Sequence, residues 1–355
     1  MELKGKQILK FAEEILNIPS PTGYTTNIVN YLIKECEKRA VKCERIKNGN
    51  LIMEIPGKTD FVLGLAAHVD TLGAIVRSIN SNGTLRFSIL GGPILPTYDG
   101  EYCQVITREG KVYTGTFLSN APATHVYKES STLPRNADNM HIRLDECVKN
   151  KDDVLKLGIT NGAFIAVDPK TTITSSNFIK SRFLDDKLSV AILFGLIDYL
   201  KENNITPNQT LKFIISTHEE MGFGMSYIPE CDELLAVDMG CIGEDLSCTE
   251  YDVSICAKDS GGPYNFEMTN KLINLAKENN LKYVVDVYPF YSSDVTAALK
   301  GGNNTKGALI GPGVHASHGM ERSHLDAVVN TLKLLIEYIK FILSSTSPLD
   351  LKFLS

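Results

Sequence analysis

Residues 211–222 read LKFIISTHEEMG. Leu211, Phe213, Ile214 and Ile215 form a short apolar, β-branched run that reads as a buried strand, and polar residues take over abruptly at Ser216. In open α/β sheets ligands bind beyond the carboxyl ends of strands, so a Thr-His-Glu-Glu cluster at such an end is where chemistry is expected. Adjacent residues leaving a strand point in different directions. Glu219 and Glu220 can therefore divide the work, one ligating a metal while the other faces a bound water. Taken alone, the pair also fits a solvated acidic turn, because acidic residues normally sit exposed. Distant partners have to decide.

Candidate partners stand at the ends of other elements. The buried run 61–67, FVLGLAA, stops at His68-Val69-Asp70, and a strand reading Leu234 to Val237 ends at Asp238. Leu184 to Leu200 reads as a helix with Leu188, Ala191, Ile192, Gly195, Leu196 and Tyr199 on one face. Asp185 and Asp186 stand at its start, where carboxylates suit the helix dipole. The late run 311–324, GPGVHASHGMERSH, adds His315, His318 and His324. Two histidines plus several carboxylates projected from one sheet edge are the donors that a pair of zinc-like ions takes, with a position left for water. Two ions about 3.5–4 Å apart need a bridging carboxylate, and Asp185 or Asp186 fits that role. Asp70 is placed to accept the other ring N–H of His68.

Each residue has a plainer reading. A histidine after a strand is commonly structural, Asp238 and Asp186 are potential helix caps, and Asp294 suits a turn or cap. Tyr288, Phe290 and Tyr291 read as core, with pocket lining as the alternative, and His125 and His141 read as structural. Joint occurrence shifts the balance toward a site.

Outward from these ends the chain alternates strands and helices. Gly5 to Leu16 and Tyr24 to Ala40 are amphipathic helices, and Val41 to Ile46 and Leu51 to Ile55 flank an Asn48-Gly49 hairpin turn. Pro263 to Glu278, Val295 to Lys300 and Leu325 to Leu343 are helical, and Asp252 to Cys256 suits an edge strand. Between about Ser78 and Ile173 short strands are broken by glycine and proline: TLRFSIL, GGPILP, YCQVITREG, KVYTGTF and GAFIAVDPK, with one short helix in 145–157. That spacing predicts a small β-barrel or sandwich. The expected architecture is a layered α/β/α mixed-sheet domain, residues 1–75 and 174–355, carrying an inserted β domain at 76–173.

The 355 residues are 43% hydrophobic and 22% charged, enough for a large core. A net charge of -6 and a pI near 5.7, without a basic cluster, argue against nucleic acid as a partner. No apolar stretch is long enough to span a bilayer, and the amphipathic start MELKGKQILKFAEEIL lacks a signal's apolar core. Eight scattered cysteines without CxxC spacing suit reduced thiols in the cytoplasm, and Cys231, Cys241 and Cys248 are poorly spaced for a zinc knuckle.

In order and rough spacing, AAHVD, SRFLDDK, STHEEMG, LLAVDMG and ASHGMER resemble the glutamyl and deblocking aminopeptidases, whose best-known members assemble into tetrahedral particles. LGITNGAFIAVDP before the Asp-Asp pair extends the likeness into the insertion. The resemblance implies a metallopeptidase holding two divalent ions, with zinc, cobalt and manganese as candidates. His68 and Asp238 would bind one ion, Glu220 and His318 the other, and Asp185 would bridge them. Asp70 and Asp186 would support the ligands from outside the set, and Glu219 would be the general base. It further implies peptide substrates and a dimer-based homo-oligomer, up to a dodecamer, in which the β domain governs assembly and access.

Three departures stand out. The family commonly shows Arg-Tyr-x-His-Ser where this chain offers three histidines, and His318 is preferred because Glu321 roughly preserves the spacing. His218 replaces an uncharged polar residue, and YSSDVTAAL, 291–299, replaces a glycine-rich Thr-Asp-Ala turn. They bear on substrate preference more than on reaction type. Two rivals stand beside this reading: an endoglucanase-type glycoside hydrolase, since some family members carry that label, and a noncatalytic peptide-binding assembly with a vestigial site.

Overall fold

The computed structural model of the chain describes residues 1–344. Helices α1 (Glu2–Leu16) and α2 (Thr26–Lys38) lead into the antiparallel hairpin of β1 (Lys42–Arg45) and β2 (Leu51–Ile55), and then β3 (Val62–His68). Six strands close a barrel: β4 (Gly73–Ile79), β5 (Leu85–Leu90), β6 (Tyr102–Ile106), β7 (Val112–Ser119), β8 (Met140–Leu144) and β9 (Phe164–Val167). Helix α3 (Lys151–Lys156) lies between the last two. Closure leaves the inserted unit no free sheet edge.

The short strands β10 (Thr172–Ile173) and β11 (Phe178–Ser181) return the chain to the larger domain, where α4 (Leu184–Glu202), β12 (Thr210–Ser216), β13 (Glu233–Val237), β14 (Gly240–Cys241), β15 (Val253–Asp259) and β16 (Gly262–Pro263) follow. The last third adds α5 (Phe266–Glu278), β17 (Tyr283–Val287), α6 (Asp294–Lys300), β18 (Lys306–Val314), β19 (Glu321–His324) and α7 (Leu325–Ser344). The main sheet runs β1-β2-β12-β3-β13-β18-β15-β16, with β17 on β15.

Its centre positions the site. β12, β3, β13 and β18 are mutually parallel, with Ser216 opposite His68 and Val237 opposite Ile310. Parallel strands in register deliver their carboxyl ends to one edge. His68, the 217–220 turn and Asp238 therefore emerge together, although they are far apart in the chain.

Helix α4 is buried all round from Leu184 to Ile197, rather than along the single face read from sequence, because it packs against β3 on one side and α1 and α7 on others. Beyond its polar first turn the helix is apolar nearly all round, which suits a core position. This seats Asp185 and Asp186 at the sheet edge with almost no solvent access. The Asp185–Asp186 peptide bond is cis.

Several sequence expectations need correction. GGPILP is no strand but a connection into a 3-10 turn at Leu95–Tyr98, since its prolines cannot donate to a ladder. The helix expected within 145–157 is confined to α3, capped by the Asn150 side chain, which accepts from the Asp153 N–H. β15 is not an edge strand, being paired with both β17 and β18. Strand β18 was hidden by its glycines. At Gly311 the main chains approach so closely that a Cβ would stand 1.2 Å from the carbonyl oxygen of Asp238.

Candidate metal centre

At the carboxyl edge of the parallel strands the structure gathers His68, Asp185, Asp186, Glu219, Glu220, Asp238 and His318. His68 Nε2 lies 3.0 Å from Asp185 Oδ1, and His318 Nε2 lies 3.6 Å from Asp185 Oδ2. One carboxylate thus turns an oxygen to each imidazole. Glu220 Oε2 is 3.6 Å from His318 Nε2, and Glu219 Oε2 is 3.7 Å from His68 Nε2. Donor atoms of His68, Asp185 and Glu220 lie within 4.8 Å of one another, as do those of His68, Asp186 and Asp238.

Both histidines are oriented alike. His68 Nδ1 stands 3.0 Å from the main-chain oxygen of Asp70, and His318 Nδ1 stands 3.0 Å from that of Gly92. A proton on each Nδ1 satisfies those carbonyls and leaves each Nε2 lone pair facing the carboxylates, which is how a metal-binding histidine is normally fixed. The carboxylate of Asp70 was expected in this role, but it stands 3.6 Å from the ring nitrogen and works elsewhere. Its Oδ1 accepts the N–H of Glu219 at 3.1 Å, and its Oδ2 accepts the N–H of Glu220 at 3.3 Å and the Thr22 hydroxyl at 2.7 Å. Asp186 Oδ2 accepts the N–H of His68 at 3.1 Å, so it holds that residue's backbone.

His318 sits in the left-handed region, φ +63°, where a side-chain-bearing residue costs energy and commonly marks a functional position. Glu321 holds it there. Its Oε1 accepts the His318 N–H and its Oε2 accepts the Asp185 N–H, each at 3.0 Å. The other late histidines are engaged differently. His324 packs against Phe178 and Tyr251 with its ring nitrogens on backbone partners, and the backbone of His315 pairs with Arg322. His218 stacks on Phe223 beside Thr217.

Electrostatics describe a site built for cations. Burial, reinforced by Asp185, pushes the Glu220 carboxyl up to about 8 and that of Asp238 up to about 6. Burial also raises Glu219 well above the ordinary range, with Asp238 and Asp294 adding to it. For His68, burial works against the charged ring, yet the Asp185 hydrogen bond and the nearby acids lift it well above normal. Asp185 goes the other way, held low by its two histidines in spite of burial. So many acids cannot all ionise around two imidazoles, and divalent cations relieve that repulsion. With imidazole nitrogens and carboxylate oxygens as donors, the set suits zinc and other first-row ions.

A cavity of about 700 Å³ opens onto Asp185, Glu219, Glu220 and His318. A separate cavity of about 630 Å³, between the barrel and the segment after α1, is lined by Lys187 and Arg143 and contains none of the site acids.

The sequence pattern of the M42 glutamyl aminopeptidases matches residues 49–334. The chain belongs to that family. Membership makes it an aminopeptidase and a metallopeptidase. YhfE of Bacillus subtilis (strain 168), provisionally named an aminopeptidase, is 44% identical over 338 residues, covering 94% of this chain and 98% of its own. The TET1 peptidase of Pyrococcus horikoshii, described as assembling into a tetrahedron or a large octahedral shell, superposes with a TM-score of 0.83 at 20% identity, covering 94% of this chain and 99% of that one. A Thermotoga maritima structure titled endoglucanase superposes with a TM-score of 0.72 at 16% identity, with 94% and 99% covered. Both structural likenesses cover the whole fold, barrel included.

Sequence reasoning passed over several supports. Thr22, Gly92 and Glu321 were not singled out for a role, Glu321 having served only as a spacing marker. Short polar residues in loops carry no periodicity. Glu321, three residues after His318, was the one available signal.

Proposed function

We propose that the chain removes single N-terminal residues from peptides, using two divalent cations and Glu219 as general base. His68 and Asp238 would hold one ion, Glu220 and His318 the other, with Asp185 shared between them and Asp70 and Asp186 as supports. When bound, the ions supply Lewis acidity that brings the pKa of a coordinated water toward neutrality and polarises the scissile carbonyl. Glu219 takes a proton from the water and passes it to the leaving amine. Burial raises its pKa above the ordinary carboxyl range, the direction a general base needs.

The observation that carries this reading is the division between neighbouring acids. Glu220 Oε2 faces His318, whereas Glu219 Oε2 faces His68 across the cavity, and Asp70 anchors both backbones. A glycosidase needs two carboxyls flanking a sugar about 5–9.5 Å apart and usually no metal. Here Glu220 faces His318 and shares a donor cluster with Asp185 and His68, which favours the peptidase. The test is turnover of an aminoacyl-anilide panel by metal-loaded protein before and after chelation. Loss of activity on chelation and recovery with zinc, cobalt or manganese is expected, and chelator-resistant hydrolysis would refute the mechanism.

The same proposal divides the chain at residues 75 and 174, with the barrel as the unit of assembly and access; Gly92 and Ile94, from the inserted segment, line the cavity. It includes a homo-oligomer, supported by the assemblies described for the TET1 peptidase. It also includes a cytoplasmic setting, supported by eight free cysteines. Among the described residues no helix is long and apolar enough to cross a membrane.

A further inference from the structure

We infer that the cavity selects an apolar first residue of leucine, methionine or phenylalanine size and disfavours both glutamyl and lysyl peptides. The inference rests on the aminopeptidase reading and adds the substrate class, which the family's glutamyl designation would not suggest.

Beyond the acids, the wall is made by Met239, Cys241 and Leu246 after β13 and by Tyr288 and Tyr291 after β17. These present sulfur, aliphatic and ring surfaces. Met239 Sδ stands 3.9 Å from Cys241 Sγ, and the two tyrosine rings meet edge to face at 5.3 Å. The Tyr288 hydroxyl is taken by Ser254 Oγ, whereas the buried Tyr291 hydroxyl has no hydrogen-bond partner among the described residues and is a small polar spot in an otherwise apolar wall. The wall is also preformed. Buried Asp259 ties down the loop that follows Tyr291, accepting from the Ser293 N–H at 3.3 Å and the Thr296 hydroxyl at 2.6 Å.

Charge decides against the alternatives. Among the described residues lining the cavity there is neither lysine nor arginine. The charge of two divalent ions would already be matched by Asp185, Glu219, Glu220 and Asp238. A glutamyl carboxylate would then find no cationic side chain on the cavity wall but His318, whose Nε2 faces Asp185 and Glu220. Burying a charge without a partner is costly. A lysyl ammonium fares little better, because the remaining acid, Asp294, has both oxygens buried beneath the surface beside Gly224. An apolar side chain needs no partner and gains by leaving water.

The test compares kcat/KM of metal-loaded protein on Leu, Met, Phe, Glu and Lys aminoacyl-coumarins. Binding of Leu-Ala-Ala and Glu-Ala-Ala to the metal-loaded Glu219→Gln variant is then measured by calorimetry. The leucyl substrate should exceed the glutamyl and lysyl ones by about tenfold or more, and the leucyl tripeptide should bind more tightly by a similar factor. Leu246→Arg, at a partly buried position on the cavity wall, should lower the leucyl rate and raise the glutamyl rate, with folding checked by its melting curve. Glutamyl or lysyl substrates cleaved fastest, or a glutamyl tripeptide bound as tightly, would overturn the inference and leave the aminopeptidase standing. No turnover of any substrate would sink the aminopeptidase reading and this inference with it.

Discussion

Asp70 Oδ1 accepts the main-chain N–H of Glu219 at 3.1 Å, across 149 residues of sequence. The same carboxylate takes the next N–H, that of Glu220, so one fully buried side chain sets the turn from which two differently employed acids project. Asp70→Ala would leave two N–H groups and the Thr22 hydroxyl without their acceptor. Each such loss costs roughly 1–3 kcal/mol. We expect a lower melting temperature and at least about a tenfold drop in kcat, because small displacements of catalytic groups are expensive. Thr22→Val, which removes a single bond to Asp70, should do much less. Unchanged kcat and metal content in Asp70→Ala would show that the turn holds itself.

Glu219→Gln preserves shape and removes the base. Folding and metal content by elemental analysis should stay at wild-type values, while kcat falls by about 10²–10⁴, the span expected of general base catalysis. Near-normal turnover would assign the proton transfer to another group.

Glu321 links the two halves of the centre, since it receives the N–H of His318 on one oxygen and that of Asp185 on the other. Glu321→Ala should release His318 from its left-handed backbone and reduce metal bound per subunit. His324→Ala, which removes a ring lying against Phe178 and Tyr251 away from the carboxylates, should leave metal per folded subunit unchanged. Equal metal loss in both would mean that the late segment is held as a whole and that Glu321 has no special part.

Gly311→Ala probes the sheet under the site. The added methyl would meet the Asp238 carbonyl oxygen 1.2 Å away, so β13 and β18 must part. Overpacking of this kind typically costs about 1–3 kcal/mol. Reduced thermal stability together with weakened metal retention is expected, and a wild-type melting curve would show that the strands yield freely.

His68, the 219–220 pair and Asp238 were legible because each follows a strongly apolar run, and parallel register then carries those ends to one place, while Asp185 and Asp186 stood out at the start of an apolar helix. His68, Asp185, Glu219, Glu220, Asp238 and His318 do converge. What escaped was of another kind. β18, reading KGALIGPGV, looks like a loop because its glycines serve close main-chain approach to Asp238 and to the Thr249 carbonyl, and no pattern of apolar residues announces that. β17 and β19 are short, and their residues alternate too little to be read. The work of Asp70 was misjudged for a related reason: proximity to His68 in sequence suggested a ring contact, whereas the fold brings the 219–220 turn against its carboxylate. Tyr288 is core as read and borders the cavity as well, Tyr291 lines it, and Phe290 is 96% exposed rather than core, distinctions that depend on the course of a loop.

Stability of the metal-free protein should fall as pH rises from about 5 to about 8. Glu220 is held up to about 8 and Asp238 up to about 6, chiefly by burial and by the charge on Asp185. In the unfolded chain such carboxyls titrate near 4. Between these limits the folded protein keeps protons that the unfolded chain has already released, which makes the slope negative, up to about 1.4 kcal/mol per pH unit for each proton. His318 adds the same sign higher up. It is lifted to about 10, because burial is outweighed by the carboxylates of Asp185 and Glu220 together with the Gly92 carbonyl, and so stays charged where the unfolded imidazole is neutral. Its stabilising contribution is complete below about pH 6.5 and fades toward the raised value. Cations compete for the same sites and require them deprotonated, so metal binding should release protons and become tighter as pH rises. Melting curves with and without a chelator should therefore diverge from about pH 6 to about pH 8, with acid appearing in weakly buffered solution as zinc or cobalt is added. A metal-induced rise in melting temperature that is the same at both ends of that range, with no proton release, would mean that the buried acids are ionised before any cation arrives, contrary to their burial.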